Sequence, residues 1–331
     1  MGAAGLLSPA LVRAAPTLND QLTGDLVPTH DPCIAKENGV YYVYGTAAPG
    51  SGLYITLRTS PDLKHWTYRG SVYKEIPQWA REAVPGTQEC WAPDVTFFNG
   101  RWHMYFAYST FGSNQSAIGL ATTPTLDPAA PNYGWRDEGM VLMSHHSDNF
   151  NAIDPAHFID QQGRHWLIFG SFWTGIKMRR LDPTTGKPLA GDDKVIALAQ
   201  RPSPWGAPGP IEAPFMIQRN GWYYLFASYD YCCKGVNSTY YTAFGRSKSI
   251  EGPFLAREGG DMLHGLGTVI LRGDLEEHGR FRGPGHCAVF HDDDGKDYIV
   301  YHAYDADNHG ASTLRIAPLV WSEDGWPTAL A

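Results

Sequence analysis

The stretch from Thr29 to Thr46, THDPCIAKENGVYYVYGT, decides the fold of this chain because its pattern occurs five times. It places Asp31 before a short apolar segment, a turn that ends in Gly39, and a second segment rich in aromatic residues. An Asn-Gly pair between two strand-like segments is the strongest short-range signal for a β-hairpin. The stretch therefore predicts a hairpin whose first strand begins with an acidic residue.

Four later stretches repeat this pattern, and their turn glycines are 58 to 74 residues apart. They are WAPDVTFFNGRWHMYFAYS from Trp91, AIDPAHFIDQQGRHWLIFGSF from Ala152, IEAPFMIQRNGWYYLFASY from Ile211 and GHCAVFHDDDGKDYIVYHAY from Gly285. A third strand follows most copies, and helix signals are weak. Five sheets of about four strands predict an all-β, single-domain five-bladed β-propeller over residues 21–331. A β-sandwich with long loops is the alternative, but it does not explain the fivefold recurrence.

The first strand of each copy should line the central channel and bring its polar residue to one end of that channel. These residues are Asp31, Asp94, Asp154, Glu212 and His286. A single Asp-Pro pair usually starts a turn. Several carboxylates in one pocket repel one another, however, so folding stability alone would not favour the set, and general acid–base catalysis would. The active site is therefore expected at this end of the channel.

The composition limits the partners. The formal net charge is −8 and the basic residues are scattered, which argues against a nucleic-acid partner. No apolar run reaches about 18 residues, so we expect no membrane-spanning segment. Aromatic residues make up 13% of the chain, which suits stacking on sugar rings, although strands also favour them. We expect a polysaccharide substrate and a monomeric protein.

The N-terminus and the cysteines bear on localisation. Residues 1–20 begin with MGAAGLLSPALVRAA, which has the small apolar character of a secretory signal but lacks a basic start. We predict a leader or signal remnant there, and a secreted or periplasmic protein. No C-x-x-C pair is present, which excludes a zinc ribbon. The adjacent Cys232 and Cys233 form either a vicinal disulfide or two buried thiols.

At these motifs the chain resembles glycoside hydrolase family 43, and within it the α-1,5-L-arabinanases, over roughly residues 27–321. The matching motifs are HDP at 30–32, WAPD at 91–94, NAIDP at 151–155, GPIEAPF at 209–215 and CCKGVNSTY at 232–240. GPGHCAVF at 283–290 matches a further motif, except that Cys287 stands where an asparagine is common.

The resemblance implies a role for each acid. Asp31 would be the general base that activates water, and Glu212 the general acid that protonates the leaving oxygen. Asp154 would orient Glu212 and raise its pKa, whereas Asp94 would not be catalytic. An inverting glycosidase holds its two carboxyl groups about 6.5–9.5 Å apart, with room for a water between them. Asp31 and Glu212 belong to non-adjacent blades, which fits such a separation.

The resemblance also implies substrate contacts and a metal site. Besides Asp31 and Asp154, the residues expected to touch substrate are Trp91, Gly112, Asn151, Ile153, Ser171, Phe172 and Trp173. His286 would hold a calcium ion on the propeller axis, mostly through water. Imidazole is an unusual ligand for such a hard cation, so from the residues alone His286 is equally a core histidine or a neighbour of Glu212.

The leading hypothesis is endo-acting hydrolysis of α-1,5-linked L-arabinan with inversion. The enzymatic alternatives are an exo-acting α-L-arabinofuranosidase, a β-xylosidase, and a retaining fructan enzyme whose carboxyl groups would be only about 5–5.5 Å apart. A sugar-binding propeller without activity is the alternative from another class, but it would gain nothing from three converging carboxylates. Endo or exo action should depend on the loops near 73–90, 110–116 and 230–240.

Overall fold

The computed structural model describes residues 16–203, 208–273 and 279–331, so most of the predicted leader lies outside the described residues. The prediction of a five-bladed β-propeller is confirmed: the strands form five separate sheets, each built from consecutive strands of the chain. Each sheet is one blade, and four of the five begin at their innermost strand. In the first blade a short extra strand, β1, comes before the inner strand and pairs in parallel with the outer strand β5.

The strands of the first three blades have the following bounds. Blade 1 contains β1 (Thr23–Gly24), β2 (His30–Glu37), β3 (Val40–Thr46), β4 (Ile55–Ser60) and β5 (His65–Ser71). Blade 2 contains β6 (Trp91–Phe98), β7 (Arg101–Tyr108), β8 (Ser116–Thr123) and β9 (Arg136–Ser144). Blade 3 contains β10 (Ala156–Ile159), β11 (His165–Phe169), β12 (Ile176–Leu181) and β13 (Ile196–Ala199).

The last two blades repeat the same antiparallel order. Blade 4 contains β14 (Ile211–Arg219), β15 (Trp222–Tyr229), β16 (Tyr241–Ser247) and β17 (Thr268–Arg272). Blade 5 contains β18 (Phe281–His291), β19 (Asp297–Asp305), β20 (Ala311–Trp321) and β21 (Pro327–Ala329).

Helices are few and short. One α-helix, α1 (Gln78–Ala83), lies between blades 1 and 2. Short 3₁₀ turns occur at Asn19–Gln21, Gly235–Asn237, Met262–His264 and Ala306–Asn308. In the described part of the chain, none of the helices has the length and apolar character that crossing a membrane requires.

The hydrophobic core lies between neighbouring blades, all the way round the ring. Blades 1 and 2, for example, share a cluster that includes Tyr44 and Phe106. Blades 5 and 1 share another, which includes Val300 and the fully buried Trp66. Because each blade buries its faces against its two neighbours, the five sheets form one cooperative unit.

The inner strands share an irregular start that turns polar side chains towards the channel. Four residues with positive φ mark it: Asp31 at 48°, Ala92 at 48°, Ala213 at 52° and His286 at 49°. The pairing register also shifts at the start of β2, β6, β14 and β18. Positive φ is uncommon for residues other than glycine, and a β-bulge re-aims the side chains near it.

The same irregular starts connect one blade to the next, because each backbone N–H freed there donates to a side chain of the preceding blade. These hydrogen bonds are Asp31 N to His302 Nδ1 (3.1 Å), Ala92 N to Thr46 Oγ1 (2.8 Å), Ala213 N to Asp154 Oδ2 (3.0 Å) and His286 N to Ser228 Oγ (2.8 Å). The polar groups of the site are thus also structural partners of the ring, and their backbones are held in place.

The segment just before blade 1 closes the ring. Asn19 is buried; its Nδ2 donates to the Tyr301 hydroxyl at 3.1 Å, and its Oδ1 accepts from Ile316 N at 2.9 Å. Both partners belong to blade 5, whereas the adjoining β1 pairs with blade 1. Leu18 and Asn19, which the sequence places in a leader, therefore pack on the propeller.

Candidate active site

A cleft of about 740 Å³ lies at the channel end to which the inner strands point. All the residues that the sequence predicts for catalysis, substrate contact or metal binding line it. They are Asp31, Trp91, Gly112, Asn151, Ile153, Asp154, Ser171, Phe172, Trp173, Glu212 and His286. Asp94 is not among the described residues that line the cleft. It is buried instead, and its Oδ2 accepts the backbone N–H of His157 in the next blade at 2.7 Å.

Asp31 is surrounded by groups that stabilise its ionised form. Its Oδ1 lies 2.8 Å from His30 Nδ1 and 3.0 Å from His286 Nδ1, and Thr46 Oγ1 donates to its Oδ2 at 2.7 Å. Burial alone would raise the pKa of this carboxyl group, but the charges and hydrogen bonds of His30 and His286 outweigh it and hold the pKa well below its usual value. Asp31 is therefore an ionised carboxylate at neutral pH.

The pKa of Glu212 is shifted in the opposite direction. Burial raises its pKa above the usual value, and the negative charge of Asp31 adds to that shift. Hydrogen bonds from Ser171 and Tyr240, together with the charge of His286, offset part of it; Ser171 Oγ donates to Oε2 at 2.7 Å. Glu212 thus favours the protonated form more strongly than a carboxyl group in water does.

Asp154 supports Glu212 through the backbone. Its Oδ2 accepts the N–H of Ala213, the residue next to Glu212. Burial raises the pKa of Asp154 as well; the charge of His286 opposes this shift, and those of Glu212 and Asp31 add to it. Three carboxyl groups therefore lie close enough to influence one another, and Asp31 is the one held ionised.

His286 carries the positive charge of this cluster. Burial would lower the pKa of its imidazole, but Asp31, Asp154 and Glu212 together raise it to about 9. Its Nδ1 faces Asp31, which leaves Nε2 as the nitrogen that could face a cation. Beside this ring, His30, Asp31 and His302 bring three potential ligand atoms within 4.8 Å of one another. His302 Nδ1, however, already accepts the backbone N–H of Asp31.

Sequence reasoning missed the residues that support Asp31 and Glu212. His30 is stacked on His302 with ring centroids 4.0 Å apart, and its Nε2 lies 2.9 Å from the Tyr304 hydroxyl. Thr46 and Tyr240 were not singled out either. A polar residue at the start or end of a strand was the available signal, but it is common and does not indicate which blade it will face.

The loops predicted to shape the groove, near 73–90, 110–116 and 230–240, do contribute to its rim, but apart from Gly112 their individual rim residues were not singled out. Pro49, Glu89, Phe111, Tyr231 and Lys234 line it. The Glu89 carboxylate accepts from Trp91 Nε1 at 2.9 Å and from Gly50 N at 3.2 Å, which fixes the indole and the neighbouring loop. Cys232 and Cys233, for which the sequence left two states open, form a disulfide on this rim.

The model of the family "Glycosyl hydrolases family 43" matches residues 27–327 of this chain. The chain belongs to that family. It is therefore a glycoside hydrolase.

Individual family members are similar along nearly their whole length. The extracellular endo-α-(1→5)-L-arabinanase 1 of Bacillus subtilis is 42% identical over 300 residues, which cover 90% of this chain and 87% of that protein. The crystal structure of an exo-1,5-α-L-arabinanase from a bovine ruminal metagenomic library is 44% identical, with a TM-score of 0.84 over 94% of this chain and 99% of that one. A Cellvibrio cellulosa α-L-arabinanase complexed with arabinohexaose is 36% identical, with a TM-score of 0.84 over 92% and 96%.

Proposed function

We propose that this family 43 hydrolase cleaves internal α-1,5-L-arabinofuranosidic bonds of arabinan with inversion of the anomeric centre. The proposal rests on two carboxyl groups in the cleft whose pKa values are shifted in opposite directions. Asp31 is held ionised and Glu212 is shifted towards its protonated form. Two carboxyl groups whose surroundings push their pKa values apart are the requirement for combined acid and base catalysis.

The reaction then needs a single displacement. Glu212 gives its proton to the glycosidic oxygen, and the bond from that oxygen to the anomeric carbon breaks. A water oxygen attacks the same carbon from the opposite face while Asp31 takes the proton that the water loses. Asp154 holds the backbone beside Glu212, and its charge, when present, favours the protonated form of that acid.

Uncommitted polar groups in the cleft support a sugar substrate. The buried Oδ1 of Asn151 has no hydrogen-bond partner among the described residues, and a sugar hydroxyl could donate to it. Trp91 and Trp173 offer aromatic surface beside it. A neutral polysaccharide also suits a protein whose formal net charge is −8.

The decisive experiment combines product analysis with two variants. Wild-type protein acting on linear arabinan should release a ladder of oligosaccharides early in the reaction. Release of one short product from the first minutes onward would support exo action instead. Asp31→Ala and Glu212→Ala should each lower kcat by roughly 10²–10⁴-fold with little change in melting temperature. A folded variant that kept more than about a tenth of wild-type turnover would contradict its assigned role.

We also propose a calcium ion near His286, held by His286 Nε2 and otherwise by water. The carboxyl groups around this ring favour a positive charge at this place, and oxygen is the ligand atom that calcium prefers. The ion would replace the proton on Nε2, while Nδ1–H still donates to Asp31. The ion would supply positive charge beside the site. Calcium should raise the melting temperature of the wild type more than that of His286→Gln. Equal increases in melting temperature in the two proteins would show that His286 does not hold the ion.

Secretion and a monomeric state complete the proposal. The Bacillus subtilis relative is described as extracellular, and a disulfide such as Cys232–Cys233 persists in oxidising compartments. Detection of the native protein in the culture medium, and its mass by light scattering, would test the two points.

A further inference from the structure

We propose that the loop at 231–235 forms a second furanose-binding subsite, on the opposite side of the carboxyl cluster from Trp91. Tyr231, the Cys232–Cys233 disulfide and Lys234 make up its surface. This inference rests on the proposed function and adds to it a site that binds the substrate chain away from the bond that is cleaved.

Tyr231 is the aromatic platform of this loop. It lines the cleft and remains 44% exposed. The centroid of the Tyr231 ring lies 5.8 Å from that of Phe172. Lys234 Nζ lies 4.5 Å from the same Tyr231 centroid. The phenol is therefore braced by two neighbours while part of its surface stays open.

The loop that presents Tyr231 is fixed before any ligand arrives. Thr239 N donates to Tyr231 O at 3.0 Å, Cys233 N donates to the Tyr304 hydroxyl at 2.8 Å, and Lys234 N donates to Ser238 Oγ at 3.0 Å. A surface that is already ordered loses little conformational entropy on binding, so its contacts contribute directly to affinity.

The chemistry of this surface matches a furanose ring in an oligosaccharide. The phenol and the disulfide sulfur atoms are apolar and polarisable and can contact the C–H face of a sugar. The ammonium group of Lys234 has three donors for hydroxyl or ring oxygens, which are acceptors. No opposite charge is required, so the subsite suits a neutral chain.

The position of the loop indicates the path of the substrate chain across the cleft. Trp91 begins β6 of blade 2, and Phe111, which is 86% exposed, lies in the β7–β8 loop of the same blade. Tyr231 follows the inner hairpin of blade 4. Blades 2 and 4 are not adjacent in the ring. A chain that touches both rims therefore passes over the carboxyl cluster and extends from it in two directions, as internal cleavage requires.

The test is the dependence of kcat/KM on substrate length for Tyr231→Ala, measured on linear arabino-oligosaccharides from the shortest one cleaved to polymeric arabinan. Loss of an aromatic contact should lower kcat/KM about three- to tenfold on the long substrates. The shortest substrate, which cannot reach the loop, should be affected less than twofold. Tyr231→Phe should behave as the wild type, because it keeps the ring.

Tyr68→Ala is the matched control. Tyr68 is also an exposed tyrosine, 37% accessible, under a cationic side chain, with Arg58 Cζ 5.3 Å from its ring, but it is not among the described residues that line the cleft. Its removal should not change the length dependence. Tyr231→Gln replaces the alanine variant if that variant is unstable.

Two results would overturn the subsite: an equal loss on all lengths, or no loss on any. A wild-type protein inactive on arabinan would overturn the proposed function and the subsite with it. An active wild type with unchanged length dependence in Tyr231→Ala would overturn the subsite alone.

Discussion

At the residue scale, the neighbours of a carboxyl group decide whether it is ionised. Asp31 and Glu212 are both buried, and burial raises the pKa of each. Two histidines next to Asp31 reverse that shift, whereas the hydroxyl groups next to Glu212 only reduce it. The division of labour that we propose between base and acid would thus be set by side chains that have no role in the reaction by themselves.

Thr46 offers a test of such a neighbour. Its hydroxyl donates to Asp31 Oδ2 and accepts the N–H of Ala92, so it fixes the rotation of the Asp31 carboxylate. A hydrogen bond to a charged group contributes about 1.5–3 kcal/mol, so Thr46→Val should lower kcat roughly tenfold or more with a smaller change in KM. Thr46→Ser, which keeps the hydroxyl, should restore most of the activity.

Ser144→Ala is the control for the structural part of that effect. Ser144 Oγ accepts the N–H of Ala152 at 2.8 Å and so joins blade 2 to blade 3, but it is not hydrogen-bonded to Asp31, Asp154 or Glu212. Both Thr46→Val and Ser144→Ala should lower the melting temperature. If Ser144→Ala lost as much kcat as Thr46→Val, the effect would come from weaker blade packing and not from the position of Asp31.

At the element scale, the hairpins could be predicted from sequence because their signals are local. The turn at Gly39 and the apolar and aromatic segments on either side of it lie within one stretch of the chain, as do those of the four other copies. The contacts between blades carry no such signal. His30 meets Tyr304 across 274 positions of sequence, and the register shifts that aim Asp31 and Glu212 depend on pairing with the next strand. The acids were therefore predictable, whereas their supporting side chains were not.

The interface of blades 2 and 3 should make the protein sensitive to acid. His103 is stacked on Phe98 at 3.5 Å, and His157 Nε2 lies 3.0 Å from His165 Nδ1. Burial lowers the pKa of His103 to about 4 and that of His157 well below its usual value. The charged groups that act on His103 and His165 are Arg101, Glu138, Asp160 and Asp182.

These lowered pKa values determine how the stability of the protein changes with pH. The unfolded chain binds protons on these histidines below about pH 6.5, but the folded protein does not until the pH approaches the lowered values. The full stability is therefore present above pH 6.5, and part of it is lost as the pH falls from 6.5 to about 4, where His103 takes up its proton.

His103→Phe isolates this contribution, because it keeps the stacked ring and cannot bind a proton. The free energy of unfolding of this variant should fall less between pH 7 and 4.5 than that of the wild type. His146→Phe, at an exposed histidine, should keep the wild-type slope. Parallel pH curves for wild type and His103→Phe would show that the interface does not contribute to acid sensitivity.

At the scale of the whole molecule, the ring depends on a contact made before the first blade begins. Asn19 joins the start of the chain to blade 5 through two buried hydrogen bonds. Asn19→Ala leaves the N–H of Ile316 buried without its acceptor, which should cost about 1–3 kcal/mol. Chemical denaturation should show the loss as a lower midpoint with an unchanged slope. Asn19→Asp, which keeps an acceptor for Ile316, should lose less, and an unchanged midpoint in Asn19→Ala would mean that the ring closes without this residue.

The ring geometry also determines the stereochemistry that we expect. Asp31 begins the inner strand of blade 1 and Glu212 that of blade 4, so the two carboxyl groups approach the cleft from non-adjacent sides. A water placed next to Asp31 can then attack the anomeric carbon directly, and one displacement converts an α-linkage into a β-configured product. Proton NMR in the first minutes of arabinan hydrolysis should therefore show β-L-arabinofuranose ends before mutarotation mixes the anomers. If the α-anomer appeared first, or if a glycosyl group were trapped on Asp31, that residue would be a nucleophile and the enzyme would act by double displacement.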